Sequence, residues 1–515
     1  MKTSYILLLI VLAIFTSCKE QKEIKPVENT ETKAEFEPEW ESLKEHKAVP
    51  EWFADAKLGV YFHWGVYSIP AWGSEWYPRW MYTPDRKGWG EEIYGYHQKT
   101  YGKDFHYHDF IPKWKGEKFN AAEWVDLFEE GGAKFIGSIA EHHDGFSLWD
   151  SKVNEWNSVQ MGPKVNVVKA IHDETKKRNL KFMATFHHGF NLMFYPKQKG
   201  KWKRPEDKHL IVQDSCIVPQ DEKYAKLYGN MEWEAANDLW LAKLNEVIDS
   251  YTPDYIWMDF GQRYVEESHR KRFLANYFNK AKQKNIEVVV NTKGPFFPKD
   301  LAIVNVERAT MEDIKEEVWI TDFILGSSWC YNREKRTAID PKQAIRMLAE
   351  VVSKNGVMLL SAGPKADGTI PEEQVASLKE MGKWLKLYGE AIYKTRPFVT
   401  FGEGTTKLES DNSDAFKEYG AIKKGLDKLN AEDIRYTKNG NTVYAIQLGW
   451  KDGQTLKTLK TFAEKAKDVK IKNISVLGSD ETIKWERTDE GLVVSPPKTK
   501  PAEADAAFVY KIEIQ

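Results

Sequence analysis

The chain is predicted to be an α/β protein with a catalytic (β/α)8 TIM-like barrel followed by a C-terminal all-β sandwich. Three observations predict this. Between residues 39 and 396, short β-branched or aromatic runs alternate with amphipathic stretches, eight times over. No Gly-x-Gly-x-x-Gly follows any of these runs, which argues against the runner-up, a doubly wound open sheet. After Pro397 the texture changes to short strand-like runs separated by turn residues.

The elements follow in order. Residues 1–17 carry a short basic start, an apolar run from Tyr5 to Phe15 and then Thr16-Ser17-Cys18. The run is long enough for a signal segment and short of the roughly 20 residues that span a bilayer. Small residues directly before Cys18 resemble a bacterial lipoprotein signal, with Cys18 as the lipid-carrying residue. That resemblance implies export and anchoring in the cell envelope, at the periplasmic face or the outer-membrane surface. Residues 18–38 are rich in Lys, Glu and Thr and read as a flexible tether. Barrel strands are expected at Gly59–Gly65, Phe135–Glu141, Lys181–His187, Tyr255–Asp259, Glu287–Thr292, Ala302–Glu307, Trp319–Leu325 and Val357–Ser361. Helices are expected at Ala121–Glu130, Val165–Arg178, Glu232–Ser250 and Lys342–Ser353, while the connection around Met311–Glu317 is short for one. In residues 397–515, Asn439-Gly440 marks a type I′ hairpin between Ile434–Thr437 and Thr442–Leu448. Further strands are expected at Val469–Leu477, Thr482–Arg487, Leu492–Val494 and Ala507–Ile514.

Composition narrows the function. A formal charge of −2 leaves no basic surplus to hold nucleic acid. Three cysteines make neither a disulfide framework nor a Cys-rich zinc site. Aromatic residues reach 13% with 20 tryptophans, and flat indole faces stack on the C–H faces of sugars.

In a barrel of this kind chemistry belongs at the C-terminal strand ends. Those ends gather His63, Glu75 and Trp76, then Glu141-His142-His143-Asp144, His187-His188, Trp257 and Asp259, Asn291 and Lys293, Glu307 and Arg308, and Trp329. Two chemistries compete for this set. A metal centre would use His63, His142, His143, His187 and His188, but adjacent histidines on a strand point to opposite faces, and no His-Glu-x-x-His is present. No metal and no cofactor are expected. Glycoside hydrolysis needs two carboxylates, about 5–5.5 Å apart if configuration is retained. Asp259, ending an apolar strand, is the candidate nucleophile, with helix capping as its competing role. Glu307 is the candidate acid/base, with an ion pair to Arg308 or Lys293 as its competing role. Glu312 is held in reserve, although Glu312, Glu316 and Glu317 also read as a solvated helix face.

Several segments resemble the glycoside hydrolase family 29 α-L-fucosidases. They are Trp52–Ser68 (WFADAKLGVYFHWGVYS), Gly73–Tyr77 (GSEWY), His142–Ser151 (HHDGFSLWDS), Pro253–Asp259 (PDYIWMD), Asp367–Pro371 (DGTIP) and Tyr444–Trp450 (YAIQLGW). The resemblance implies a retaining, exo-acting enzyme that removes terminal α-L-fucose from oligosaccharides or polysaccharides. It implies Asp259 as nucleophile, and His63, Glu75, Trp76, His142, His143 and Trp257 as residues that hold the sugar. Two departures fall at the same site. His187-His188 stands where many members have Tyr-Tyr, and Lys293 where an arginine is common, so a sulfated fucose or an α-L-galactoside is the alternative substrate. A non-catalytic glycan-binding lipoprotein is the rival from outside enzymology.

Overall fold

The computed structural model describes residues 35–199, 208–214, 217–410 and 416–515, and one compact unit spans Phe36–Gln515. The expected signal segment, Cys18 and Cys216 lie outside the described residues.

Eight parallel strands close into a barrel. They are β1 (Leu58–Phe62), β2 (Phe135–Glu141), β3 (Lys181–Phe186), β4 (Tyr255–Met258), β5 (Val289–Thr292), β6 (Ile303–Glu307), β7 (Trp319–Ile324) and β8 (Gly356–Ala362). Each pairs with its sequence neighbours, and β8 closes on β1 with Leu58 opposite Met358. Helices α1 (Ala121–Glu130), α2 (Val167–Lys177), α3 (Trp233–Tyr251), α4 (Glu267–Gln283), α5 (Pro341–Ser353) and α6 (Glu372–Tyr388) fall between or after the strands. The connection from β6 to β7 has no helix. Instead Thr310–Met311 pairs antiparallel with Ala421–Ile422 of the C-terminal region, so the expected helix face at Glu312, Glu316 and Glu317 does not form.

Alternation along the strands fills the barrel interior. Tyr61, Phe135, Met183, Tyr255, Trp257, Val289, Ile303, Ile320, Val357 and Leu359 form one buried apolar cluster inside the ring. Gly59 is required here, because a Cβ at that position would lie 2.2 Å from the Phe135 ring. This plug is the floor on which the functional residues stand.

The unit begins earlier than the expected tether boundary at residue 38. The Phe36 amide donates to Asn279 Oδ1 at 3.0 Å, Asn279 Nδ2 returns a bond to the Phe36 carbonyl at 2.7 Å, and the Phe36 ring packs edge-on against Phe278.

The C-terminal region holds β9 (Arg396–Glu403), β10 (Ile434–Asn439), β11 (Thr442–Gln447), β12 (Lys457–Leu459), β13 (Ile471–Val476), β14 (Trp485–Thr488), β15 (Gly491–Val494) and β16 (Phe508–Ile514). A five-stranded sheet runs β9-β10-β11-β16-β13 and a three-stranded sheet runs β12-β15-β14, with every pair antiparallel. The hairpin forms, but not with the expected type I′ turn at Asn439-Gly440: Asn439 pairs with Thr442, the two-residue loop is Gly440-Asn441, and of the two only Gly440 is left-handed, φ 53°. The sheet packs on the barrel through α5. Buried Glu350 pairs with Lys354 at 2.5 Å and with Arg435 of β10, while Arg346 donates to the carbonyls of Leu429, Asp505 and Ala506. Trp384 of α6 donates to the Ala507 carbonyl at 2.7 Å. Removing one member of such a buried cluster strands the others without counter-charge. Glu350→Ala is therefore expected to destabilise the full chain by about 3–5 kcal/mol, read as a lowered Tm in thermal unfolding.

Candidate active site

The same alternation that plugs the barrel aims polar groups at its C-terminal mouth. Asp259 follows Tyr255 and Trp257 at inward parity, Asn291 follows Val289, and Asn305 and Glu307 follow Ile303. Asp322 follows Ile320, and His63 follows Tyr61. Asp259, Glu307, Asp322 and His63 open into one cavity of about 410 Å³, while Asn291 and Asn305 stay buried beside it. Its lining includes Asp259, Glu307, His63, Glu75, Trp76, His142, His143, His187, Trp257, Lys293 and Trp329, so the expected catalytic pair and sugar-holding residues meet here, whereas the reserve Glu312 and the strand-end residues Glu141, Asp144, His188 and Asn291 do not line it. Glu312 is exposed outside the cavity, its amide tied to the Gly420 carbonyl at 2.9 Å.

Lys293 organises the centre. Its buried ammonium lies 3.1 Å from Asp259 Oδ1, 3.2 Å from Glu307 Oε2 and 3.2 Å from Asp322 Oδ2. It donates hydrogen bonds to Glu307 Oε2 and Asp322 Oδ2 and pairs with Asp259 Oδ1 as an ion pair. Because Asp259 and Glu307 share this cation, the two oxygens it holds are no further apart than about 6.3 Å, below the roughly 6.5–9.5 Å of an inverting pair and compatible with a retaining one. The expected competing role of Glu307, an ion pair with Lys293, is present together with its position in the cavity. Burial alone would raise the Asp259 pKa, but the Lys293 charge and the His143 hydrogen bond hold it well below the usual carboxylate range. Burial opposes the charge on Lys293, and the three carboxylates outweigh it and raise its pKa.

The neighbouring groups are fixed in turn. His143 Nδ1 donates to the His187 carbonyl at 2.6 Å, which sets its Nε2 3.3 Å from Asp259 Oδ2. Asn291 brackets Met258, accepting from its amide at 2.8 Å and donating to its carbonyl at 2.9 Å, which steadies the residue before Asp259. His63 Nδ1 meets Ser361 Oγ at 2.7 Å. Burial pushes the His63 pKa down to about 3, and burial likewise pulls His142 and His187 well below the ordinary imidazole value. Glu75 is raised to about 7, by burial first and then by the charges of Glu307 and Asp259. Trp76 stacks near-parallel to Phe260 and edge-on to His143.

The histidine pairs behave differently from each other. His187 and His188 diverge as strand neighbours should: His187 lines the cavity, while His188 bonds the Trp240 carbonyl through Nε2 at 3.1 Å. His142 and His143 both enter the cavity. A bulge between Ile139 and Glu141 shifts the β2–β3 register, turning Glu141 outward to Lys243 of α3 at 2.6 Å. Ligand nitrogens of His63, His142 and His187 lie within 4.8 Å of one another, a spacing that could hold a divalent cation. His142 Nδ1 and His187 Nδ1 lack partners among the described residues, and sugar hydroxyls would satisfy them as well. Asp144, which the sequence placed beside the pair, is buried against the Tyr107 hydroxyl at 2.6 Å and does not line the cavity.

Sequence reasoning missed Asp322. It accepts from Asn305 Nδ2 at 2.6 Å as well as from Lys293, and burial pushes its pKa up to about 6. The available signal was a lone carboxylate inside an apolar run at inward parity. Cys330 is a buried free thiol.

A parallel eight-stranded barrel with two carboxylates on one cation at its C-terminal mouth, ringed by imidazoles and indoles, defines a glycoside hydrolase. Comparison with known proteins gives the family. The α-L-fucosidase profile matches residues 24–390 and the α-L-fucosidase C-terminal domain profile matches residues 427–515, so the chain belongs to the α-L-fucosidase family. Human tissue α-L-fucosidase is 28% identical over 523 residues, covering 98% of this chain and 96% of its own length. The bovine tissue enzyme is 29% identical over 499 residues, covering 93% of this chain and 91% of its own. Among solved structures, an α-L-fucosidase at 26% identity superposes with a TM-score of 0.72, covering 93% of this chain and 100% of its own. Thermotoga maritima α-fucosidase in complex with a mechanism-based inhibitor, at 27% identity, gives 0.69 with the same coverage. The chain is a glycosidase acting on α-L-fucosides.

The raised Glu75 pKa has a consequence for stability. In the unfolded chain this carboxyl ionises near 4.5, and in the folded protein only near 7. As pH rises through that window the unfolded state loses its proton first, so the group lowers stability, by about 3 kcal/mol once pH passes 7. Glu75→Gln removes the effect. Its Tm advantage over the parent is expected to be absent at pH 4 and to grow between pH 4.5 and 7.

Proposed function

We propose that Asp259 is the nucleophile and Glu307 the acid/base of a double displacement on terminal α-L-fucose. The observation that carries this reading is the single Lys293 ammonium between them, which keeps both oxygens within reach of one anomeric centre. Asp259, held ionised, attacks C1 of the fucose. Glu307, half-exposed where a leaving sugar would exit, donates its proton to the departing oxygen. Water then attacks the glycosyl ester, with Glu307 as base, and configuration is retained. His63, His142, His143 and His187 supply nitrogen partners for ring hydroxyls, Glu75 adds a carboxyl, and Trp76, Trp257 and Trp329 offer apolar faces to the C–H side of the sugar. The substrates are fucosylated oligosaccharides or polysaccharides.

Asp259→Asn is expected to lower kcat for 4-nitrophenyl α-L-fucoside by at least about 10³-fold while fucose binding, measured calorimetrically, persists. Glu307→Ala is expected to lose about 10²–10⁴-fold on natural glycosides, much less on the activated aryl glycoside, and to recover with azide. Near-normal turnover of natural glycosides by Glu307→Ala would remove the acid assignment.

We further propose that the chain is exported and lipid-anchored in the bacterial envelope. The reading rests on the apolar segment Tyr5–Phe15 ahead of Thr16-Ser17-Cys18. No helix among the described residues is long and apolar enough to cross a membrane. Metabolic labelling with a radioactive fatty acid is expected to mark the parent and to fail for Cys18→Ala; equal labelling of both would overturn the anchor.

A further inference from the structure

The deep and outer halves of the cavity differ in charge balance. Deep inside, the three carboxylates on Lys293 and the buried Glu75 leave no free cation. At the rim, Arg308 and Lys335 line the same cavity, both exposed, and among the described residues neither the guanidinium nor the Lys335 ammonium makes a hydrogen bond or an ion pair. The rim partners beside them, Ser327 and Ser328, carry hydroxyls and no negative charge. Arg308 is held in place deliberately by the fold. Its backbone is left-handed, φ 52°, and its amide donates to the Asp322 carbonyl at 2.9 Å. A left-handed non-glycine residue is unfavourable and persists where its surroundings over-determine it. The turn comes immediately after Glu307, so it sets a cation next to the group that meets the leaving sugar.

A second, independent feature lies on the same lining. Trp89 is 54% exposed, yet it is not loose: its indole stands edge-on to Trp76 at 5.5 Å and to Trp80 at 5.8 Å. An indole fixed upright with free area is a stacking platform for a pyranose beyond the one held by the histidines.

We propose that the outer half of the cavity is a subsite for an anionic aglycone, in which Trp89 stacks on the sugar next to fucose while Arg308 and Lys335 bind its sulfate ester or uronate carboxylate. The inference rests on the assignment of Asp259 and Glu307 as the pair that cleaves terminal fucose. Two cations that pair with no carboxylate favour a charged saccharide over its neutral counterpart, and the preference weakens as salt screens it.

The test measures kcat/KM on four pools. They are fucosylated oligosaccharides bearing sulfate, the same pool chemically desulfated, fucosylated oligosaccharides bearing uronate, and that pool after carboxyl reduction. The parent enzyme is expected to favour at least one charged pool about tenfold over its neutral partner at 50 mM salt, and markedly less at 500 mM. Preference in the first comparison identifies a sulfate ester, and in the second a uronate. The double variant Arg308→Ala/Lys335→Ala is expected to bring the ratio to within about twofold of unity, and Trp89→Ala to lower kcat/KM on both members of a pair together. Equal rates on charged and neutral pools by the parent, or an unchanged ratio in the double variant, overturns the subsite. Failure of the parent on 4-nitrophenyl α-L-fucoside would instead overturn the catalytic assignment, and the subsite with it.

Discussion

A buried ammonium shared by three carboxylates is the constraint around which the rest of this active site is arranged. Lys293 projects from the end of β5, and its partners come from β4, β6 and β7, so four strands must keep register for the contact to exist. Coulomb attraction at about 3 Å in a screened-from-water site is strong, and so is the repulsion among the carboxylates. The balance is uneven. Asp259, which also has His143, keeps its charge, whereas Asp322 is pushed toward its neutral form. Lysine suits this geometry better than arginine, because three tetrahedral donors can reach three acids on different strands. A planar fork would address one or two of them in its own plane.

That arrangement also explains why the barrel interior matters for catalysis. The apolar plug below the site is built from the same strands at the same parity as the acids, and Trp257 belongs to both, lying under the Lys293 ammonium at 4.6 Å. Packing of large side chains fixes strand tilt and spacing, and the polar layer inherits that precision. The hydrogen bonds that Asn291 makes to Met258, and Asn305 to Asp322, carry the register from one strand to the next.

The fold was legible because its signals are local. β2 and α1 occur over the residues expected, and most other strands begin or end within a residue or two of the sequence reading. Site residues at strand ends were legible for the same reason: His63, His187 and Asp259 sit where an apolar run stops. What escaped was non-local. Asp322 lies inside a run that reads as core, and only closure of the ring shows that its side chain meets Lys293. The β2 bulge, which sends Glu141 outward and lets His142 and His143 face inward together, has no signature in spacing. The pairing of Thr310–Met311 with Ala421–Ile422 joins segments over a hundred residues apart, and two-residue strands are too short to carry a pattern.

That last pairing has a mechanical consequence. Thr310 stands three positions beyond Glu307, so the segment bearing the proposed acid/base is clasped, just downstream, by the C-terminal region. Lys354, which reaches the Met311 carbonyl at 2.7 Å, rivets the clasp to the helix beneath. Excising the tail to obtain a minimal hydrolase would therefore remove the strand that holds the segment just after the proposed acid/base, and the two regions are better regarded as one machine than as an engine with a removable accessory.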